Sequence, residues 1–258
     1  MFKRSLALLA VLALGACATA APAPRGPVIP QFLWAAVADP ARPAADRERD
    51  AERRPAELLA FAGLTPGMKV ADLIPGGGYF TRIFSKAVGP SGKVYAYVPD
   101  ELTKLAKRPP AVNAIAADPA YRNVQVIVRT LPQFGAPEKL DMVWTSLNYH
   151  DMHATFMGPA NVPAVNRAVF NSLKPGGVYM VIDHADAPGR GIAGVNTLHR
   201  IDPAVVRREI EAAGFIYDGE STLLRNPADT HTLAVFDDSL RGRTDQFVYK
   251  FRKPRGAR

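Results

Sequence analysis

The chain has 258 residues, of which 48% are hydrophobic and 22% are charged, so it is long enough to bury one sizeable core. A single cysteine excludes an intrachain disulfide. The net charge is +8, but the basic residues are spread along the chain instead of forming one stripe, so this charge does not indicate a nucleic-acid-binding protein.

The beginning of the chain has the pattern of an export signal. Lys3 and Arg4 precede a Leu/Ala run that is too short to span a bilayer as a permanent helix, which predicts a signal peptide over residues 1–16. The following Cys17 completes a Leu-Gly-Ala-Cys sequence that resembles a bacterial lipobox, in which the cysteine carries the lipid. The sequence therefore predicts a lipoprotein on the periplasmic face of a bacterial membrane, attached through Cys17 only. The alternative is cleavage near Ala20, which would leave a soluble periplasmic protein.

An Ala- and Pro-rich segment follows, and it predicts a tether over residues 17–30 before a single domain over 31–258. Acids and bases alternate over 46–54, which predicts the solvated face of a helix. Pro55 then begins a more apolar helix that ends at Gly63.

From Val70 onward, short apolar segments alternate with helical ones. The predicted strands are 69–74, 93–98, 124–128, 141–147, 178–183, 215–224 and 245–251. The predicted helices between them are 79–88, 102–116, 162–173 and 203–213. This alternation is typical of an α/β, doubly wound sheet.

The order of several short motifs resembles that of the class I S-adenosylmethionine-dependent methyltransferases, over residues 55–251. The matching motifs are Leu64-Thr65-Pro66-Gly67, Asp72 with the glycine turn after it, Leu173-Lys174-Pro175-Gly176-Gly177, and Ala213-Gly214-Phe215. The chain also resembles an uncharacterised bacterial subgroup of predicted methyltransferases, through HRIDP (199–203), RNPADTHT (225–232) and RGRTDQFVYKF (241–251). The resemblance implies a Rossmann-like methyltransferase sheet of seven strands, mostly parallel with the last one antiparallel, and S-adenosylmethionine as the cofactor.

The glycine turn is where the family binds the amino-acid end of the cofactor. Glycines there let backbone amides approach a ligand closely. Asp72 takes the acidic position, and Gly76 and Gly78 take the second and third glycines, but Ile74 stands at the first. The resemblance implies eight cofactor-binding residues: Asp72, Gly76, Gly77, Gly78, Tyr79, Asp100, Glu101 and Asn148. A branched side chain at 74 would narrow the pocket or move the cofactor, and the alternative is a purely structural turn.

The adenosine half of the resemblance departs from the family pattern at the end of the second strand. The family usually has an acid there that binds the ribose hydroxyls, whereas this chain has about Val98 at that place. Asp100 or Glu101, just after Pro99, is expected to reach the ribose instead.

All five histidines fall in loops at the predicted carboxyl edge of the sheet, where open α/β sheets bind ligands. They are His150, His153, His184, His199 and His231. Histidine titrates near neutral pH, so one of them can remove a proton from a nucleophile that attacks the sulfonium methyl. His150 is the first choice for this base, with Asp151 or His184 to orient it. Tyr149 or Tyr79 is predicted to face the sulfonium cation.

The same histidines leave other functions open. The favoured interpretation, methyl transfer to a small molecule, assigns no metal ligand. His150, His153, His184 and Asp186 nevertheless offer ligands that suit zinc or iron, which predicts a metal-dependent enzyme as one alternative. A second alternative is a ligand-binding envelope protein without catalysis. His199 is also open to a structural role beside Asp202, which is predicted to cap the helix at Pro203.

Overall fold

The computed structural model describes residues 28–106, 108–158 and 160–256. The predicted signal peptide, Cys17 and the predicted tether up to residue 27 lie outside the described residues. Among the described helices, none has the length and apolar character that a membrane crossing requires.

Seven strands form one sheet, as predicted. They are β1 (Lys69–Leu73), β2 (Lys93–Pro99), β3 (Val124–Arg129), β4 (Leu140–Ser146), β5 (Leu173–His184), β6 (Ile216–Ser221) and β7 (Gln246–Arg252). Their order is β3-β2-β1-β4-β5-β7-β6. The first five strands pair in parallel, and β7 runs antiparallel to both β5 and β6. This confirms the predicted α/β fold with an antiparallel last strand.

Ten α-helices accompany the sheet in the described part of the chain. They are α1 (Gln31–Val37), α2 (Ala44–Arg47), α3 (Asp50–Arg53), α4 (Pro55–Ala62), α5 (Tyr79–Val88), α6 (Asp100–Ala106), α7 (Val112–Ala117), α8 (Val162–Ser172), α9 (Val195–Leu198) and α10 (Pro203–Ala212). The helix predicted over 102–116 is wrong as a single element, because it is divided into α6 and α7. Pro109 and Pro110 lie between the two, and proline cannot continue a helix without losing a hydrogen bond. Asp202 caps α10 as predicted, since its side chain accepts from the backbone N of Ala204 at 2.9 Å.

Two hydrophobic clusters lie on opposite faces of the sheet, because successive side chains of a strand alternate between its faces. In β1, Ala71 and Leu73 belong to the first cluster, while Val70 belongs to the second. Helices α8 and α10 cover the first cluster, and α1, α4 and α5 cover the second. The sheet is therefore the middle layer of three.

The strand order reverses between β1 and β4, which lie side by side in the sheet. Strand β1 leads to its neighbour β2 on one side, whereas β4 pairs with β1 on the other side. A crevice opens at the carboxyl ends of strands at such a switch point, and open α/β sheets bind ligands there. The glycine turn that follows β1 and Asn148, which follows β4, both lie at this point.

Candidate functional site

The glycine turn after β1 has the backbone geometry that requires glycine. Gly76 and Gly78 have φ angles of +56° and +82°, in the left-handed region that side chains rarely adopt. A Cβ on Gly78 would also come within 2.1 Å of the Ile115 side chain, whereas a Cβ on Gly76 or Gly77 would meet no described atom within 4 Å. The space beside Gly76 and Gly77 is therefore open to a ligand.

Ile74 adopts the left-handed conformation as well, with φ +61° and 4% of its surface exposed. Its backbone N donates to the Tyr97 carbonyl O at 3.0 Å, and its own carbonyl O accepts from Asn148 Nδ2 at 3.1 Å. These hydrogen bonds keep a β-branched residue in a conformation that glycine would adopt without strain. The turn is thus held in place by hydrogen bonds at the position where the chain departs from the family pattern.

Two cavities meet at this turn, and Ile74, Gly76 and Gly77 line both of them. The larger cavity has a volume of about 520 Å³ and continues over the ends of β2 and α6 to the segment before α7. Its other lining residues are mainly apolar and include Val98, Leu102 and Phe156. The smaller cavity, of about 220 Å³, is polar and contains Asp72, Tyr79 and Asn148 from the predicted cofactor set, together with Arg49 and Arg53.

Arg53 is the main positive group of the smaller cavity. Its guanidinium lies 4.3 Å from the centre of the Tyr79 ring and donates to Ser146 Oγ at 3.1 Å. Burial and the neighbouring Arg49 lower the pKa of Arg53 to about 10, so it remains charged at neutral pH. The prediction that 46–54 is simply a solvated helix face is therefore wrong for this residue, which faces the cavity.

Asp72 lies behind the turn and is only 3% exposed. Burial raises its pKa to about 6, against a hydrogen bond that Thr81 Oγ1 donates to Asp72 Oδ2 at 2.6 Å. This bond joins the end of β1 to the first turn of α5. Asp72 therefore supports the shape of the turn in addition to lining the smaller cavity.

Tyr79 lines the smaller cavity, but its ring is already covered by cations. Arg42, Arg49 and Arg53 lie 5.2, 5.6 and 4.3 Å from its centre, and its hydroxyl donates to Asp50 Oδ1 at 2.5 Å. The structure thus places guanidinium groups on the ring that was predicted to face a sulfonium.

The acids expected to reach a ribose have partners outside the larger cavity. Asp100 pairs with Lys104 Nζ at 2.6 Å, and Glu101 Oε1 accepts from the backbone N of Leu131 at 3.2 Å. Thr103 lines the cavity from the same helix. Glu101 Oε2 is buried and has no hydrogen-bond partner among the described residues. Of the carboxylate oxygens of Asp100 and Glu101, it is therefore the one that could accept a hydrogen bond from a ligand.

Three of the five histidines come together, and two do not. The ring of His150 lies 6.0 Å from that of His184 and 5.6 Å from that of His199, measured between centroids. His153 Nε2 instead lies 3.1 Å from Glu209 Oε2, and His231 Nε2 lies 3.0 Å from Asp245 Oδ2. The metal-ligand set predicted as an alternative, which includes His153, is therefore not assembled. Ligand atoms of another set, His150, Asp151 and His199, lie within 4.8 Å of one another.

His150 lies between two carboxylates, which favour its protonated form and so oppose its predicted role as a base. Asp183 accepts from its Nδ1 at 2.8 Å and from its backbone N at 2.7 Å, and Asp151 Oδ1 lies 3.1 Å from its Nε2. Burial opposes the charged imidazole, but the two carboxylates outweigh burial and raise the pKa of His150 to about 10. The two carboxylates thus favour the imidazolium form, which has no lone pair to accept a proton. Asp183 also proves to be its main orienting group, a role that the sequence assigned to Asp151 or His184.

His184 has the opposite protonation state. Burial and the nearby His150 lower its pKa to about 4, against the attraction of Asp183. Its Nδ1 lies 2.7 Å from Thr244 Oγ1 on the segment that enters β7. His184 is therefore a neutral imidazole that contacts a neighbouring hydroxyl.

Tyr149 lies in the core instead of facing a ligand, which corrects its predicted place beside the cation. It is fully buried in the first hydrophobic cluster. Its hydroxyl donates to Glu209 Oε2 at 2.9 Å and accepts from Asn166 Nδ2 at 2.8 Å. Its hydrogen bonds join the loop after β4 to α8 and α10.

No family model matches the chain, and neither does any curated protein sequence. Solved structures share its fold. A SAM-dependent methyltransferase from Aquifex aeolicus superposes with a TM-score of 0.54 at 20% identity, over 81% of this chain and 94% of that one. The 1,6-didemethyltoxoflavin-N1-methyltransferase from Burkholderia thailandensis, solved with 1,6-didemethyltoxoflavin and S-adenosylhomocysteine bound, has a TM-score of 0.52 at 18% identity, over 82% and 79%.

A third similar structure shows how far the fold can be taken as evidence. The [4+2]-cyclase SpnF superposes with a TM-score of 0.56 at 16% identity, over 83% of this chain and 82% of that one. The described residues therefore have the Rossmann-like fold of class I S-adenosylmethionine-dependent methyltransferases. Since a cyclase is among the similar structures, this fold alone does not determine the reaction.

Proposed function

We propose that this protein is an S-adenosylmethionine-dependent methyltransferase that acts on a small molecule. The observation that carries the proposal is the meeting of two unlike cavities at the glycine turn, one mainly apolar and one lined by charged groups. An elongated ligand with a flat, weakly polar half and a zwitterionic half matches this division. S-adenosylmethionine has both halves, and the resemblance of the turn to the family motif agrees with it.

The residues present suit each half of the cofactor. Arg53 and Arg49 would bind the carboxylate of its amino-acid end, because guanidinium groups bind carboxylates through charge-assisted hydrogen bonds. The open space beside Gly76 and Gly77 would allow the backbone to approach the cofactor closely. The larger cavity would hold the adenosine, with Thr103 as a hydroxyl partner. When bound, the cofactor supplies a methyl group activated by its sulfonium.

The acceptor would enter at the carboxyl edge formed by the loops after β4 and β5. Asn148 lines the smaller cavity, and His150 and Asp151 lie two and three residues after it in the chain. Methyl transfer requires mainly that the nucleophile, the methyl carbon and the sulfur are aligned. We therefore propose that His150, Asp151 and His184 bind and orient a polar small molecule beside the cofactor.

Calorimetry with S-adenosylhomocysteine tests the cofactor site directly. We expect one molecule bound per chain, and an affinity reduced about 10- to 100-fold in Arg53→Gln, because a hydrogen bond to a charged group contributes about 1.5–3 kcal/mol. Arg122→Gln is the matched control, since Arg122 is exposed just before β3, at the opposite edge of the sheet. The control should bind like the unmodified protein.

Two results would count against the proposal. If neither S-adenosylmethionine nor S-adenosylhomocysteine binds at millimolar concentration, the cofactor assignment is wrong. If both bind but no methyl transfer occurs with a broad panel of small-molecule acceptors, the chain is better described as a ligand-binding protein of the same fold.

We also propose that the protein is exported and attached to the periplasmic face of a membrane through a lipid on Cys17. This proposal is supported by the sequence pattern of residues 1–17 alone. The mass of the N-terminal peptide of the mature protein would test it, because lipidation adds acyl chains to that peptide.

A further inference from the structure

Three potential metal ligands converge at the carboxyl edge from two separate loops. His150 and Asp151 follow β4, whereas His199 lies almost fifty residues later, after α9. One ligand atom from each of the three lies within 4.8 Å of the other two. We infer that His150, Asp151 and His199 form a binding site for a divalent transition-metal ion such as Zn²⁺ or Fe²⁺.

The donor set is the one that such ions prefer. Two imidazoles and one carboxylate are ligands of catalytic zinc and of non-haem iron, both of which retain positions for water or substrate. Hard ions such as Mg²⁺ instead prefer oxygen ligands throughout. The chemistry of the three side chains therefore favours a first-row transition metal.

His150 already has the supporting contact that metal-bound histidines usually have. Its Nδ1 donates to Asp183 Oδ1 at 2.8 Å, and Asp183 is fully buried. A carboxylate on the far nitrogen fixes the ring and leaves Nε2 as the ligand atom. Nε2 lies 3.1 Å from Asp151 Oδ1, so both atoms are placed to bind one ion, and its binding would displace any proton that Nε2 carries.

His199 is held in a strained backbone conformation, with φ +54°. The next residue, Arg200, is fully buried, and its Nη1 lies 2.9 Å from Asp229 Oδ2. The residue after it, Ile201, donates its backbone N to the His184 carbonyl O at 3.1 Å. Strained residues that their neighbours hold in place are concentrated at functional sites, and here the strain presents an imidazole toward His150.

The separations are compatible with metal binding after a small movement. Ligand atoms about 2.1 Å from a tetrahedral metal lie about 3.4 Å from one another, and the three here lie within 4.8 Å of one another. His150 is 3% exposed and fixed by Asp183, whereas Asp151 and His199 are only partly buried. The two less buried side chains are therefore the ones that would close around the ion.

Binding of Zn²⁺ tests this inference without relying on methyl transfer. The protein, purified without a histidine tag and freed of metal with a chelator, is titrated with Zn²⁺ in a calorimeter. We expect one ion per chain at micromolar affinity or tighter. Loss of a residue that only supports a metal ligand usually weakens metal binding by about 10- to 100-fold. Asp151→Asn and His199→Ala each change a ligand itself, so each should weaken Zn²⁺ binding by at least that factor.

His153→Ala is the matched control, because His153 lies on the same turn but contacts Glu209. It should bind Zn²⁺ like the unmodified protein. Circular dichroism establishes that each variant is folded, and the isosteric Asp151→Asn decides the matter if His199→Ala does not fold. The inference is overturned if the unmodified protein fails to bind Zn²⁺ at millimolar concentration, or if Asp151→Asn and His153→Ala bind it equally well.

Discussion

Ile74 is a β-branched residue in a backbone conformation that favours glycine. The family pattern has glycine at this place, and Ile74 has a φ of +61°, which glycine adopts without strain. Ile74 lines both cavities, although it is only 4% exposed and also belongs to the first hydrophobic cluster. The cost of the left-handed conformation is about 1–2 kcal/mol for a residue with a Cβ.

This strain predicts an unusual order of stability among small substitutions at position 74. Glycine in a strand normally lowers the free energy of unfolding by about 0.5–1 kcal/mol relative to alanine. At position 74 alanine would be strained and glycine would not, so Ile74→Gly should be at least as stable as Ile74→Ala. Urea unfolding of the two variants measures this difference.

Val128 provides the comparison, because it is a β-branched residue on an exposed part of β3 without a positive φ. There, Val128→Gly should be less stable than Val128→Ala by about 1 kcal/mol. An equal preference for alanine at both positions would contradict the strain at Ile74.

At the scale of elements, the short helices α2 and α3 bring charged side chains to the crevice. A buried ion pair secures them: Arg42 is 1% exposed, and its Nη1 and Nη2 donate to the two carboxylate oxygens of Asp50 at 2.8 and 2.7 Å. Tyr79 at the start of α5 donates to the same carboxylate. The position of Arg53, at the end of α3, therefore depends on Asp50 at its beginning.

Asp50→Ala should destabilise the protein far more than the loss of a surface ion pair does. It would leave the Arg42 guanidinium buried without a counter-ion, which costs about 3–5 kcal/mol in a fully buried pair and somewhat less here, because Asp50 is partly exposed. Urea unfolding measures the loss. Glu211→Ala, which removes the exposed pair with Arg207, should cost only about 0.5 kcal/mol, and equal losses in the two variants would refute this account.

At the scale of the whole molecule, one sheet supplies residues to both hydrophobic clusters. Trp144 in β4 belongs to the second cluster, while its neighbour Val143 belongs to the first. Neither cluster can lose its packing without disturbing the strands that carry the other. The two clusters should therefore unfold together.

We expect a single urea transition for both tertiary and secondary structure. In Trp34→Phe, which removes an exposed tryptophan from α1, the emission of fully buried Trp144 reports on the second cluster alone. Its midpoint should coincide with that of the far-ultraviolet circular dichroism. Separate midpoints would show that the layers unfold independently.

The sequence by itself determined the seven strands and most of the longer helices. The strands, the helix beginning at Tyr79 and the glycine turn follow from local patterns, because hydrophobic periodicity and turn chemistry involve residues close together in the chain. The same local signals predicted that the five histidines follow strands at one edge. The break between α6 and α7 also has a local signal, in Pro109 and Pro110.

Only the tertiary structure decided which of these residues meet. Arg53 reaches the turn after β1, and His199 reaches His150, because the sheet order and packing bring together segments that are distant in the chain. Tyr149 and His153 follow the same strand as His150 but face Glu209 instead. Spacing along a loop does not determine the direction of its side chains, since that direction depends on the backbone turn and on the partners that other elements supply.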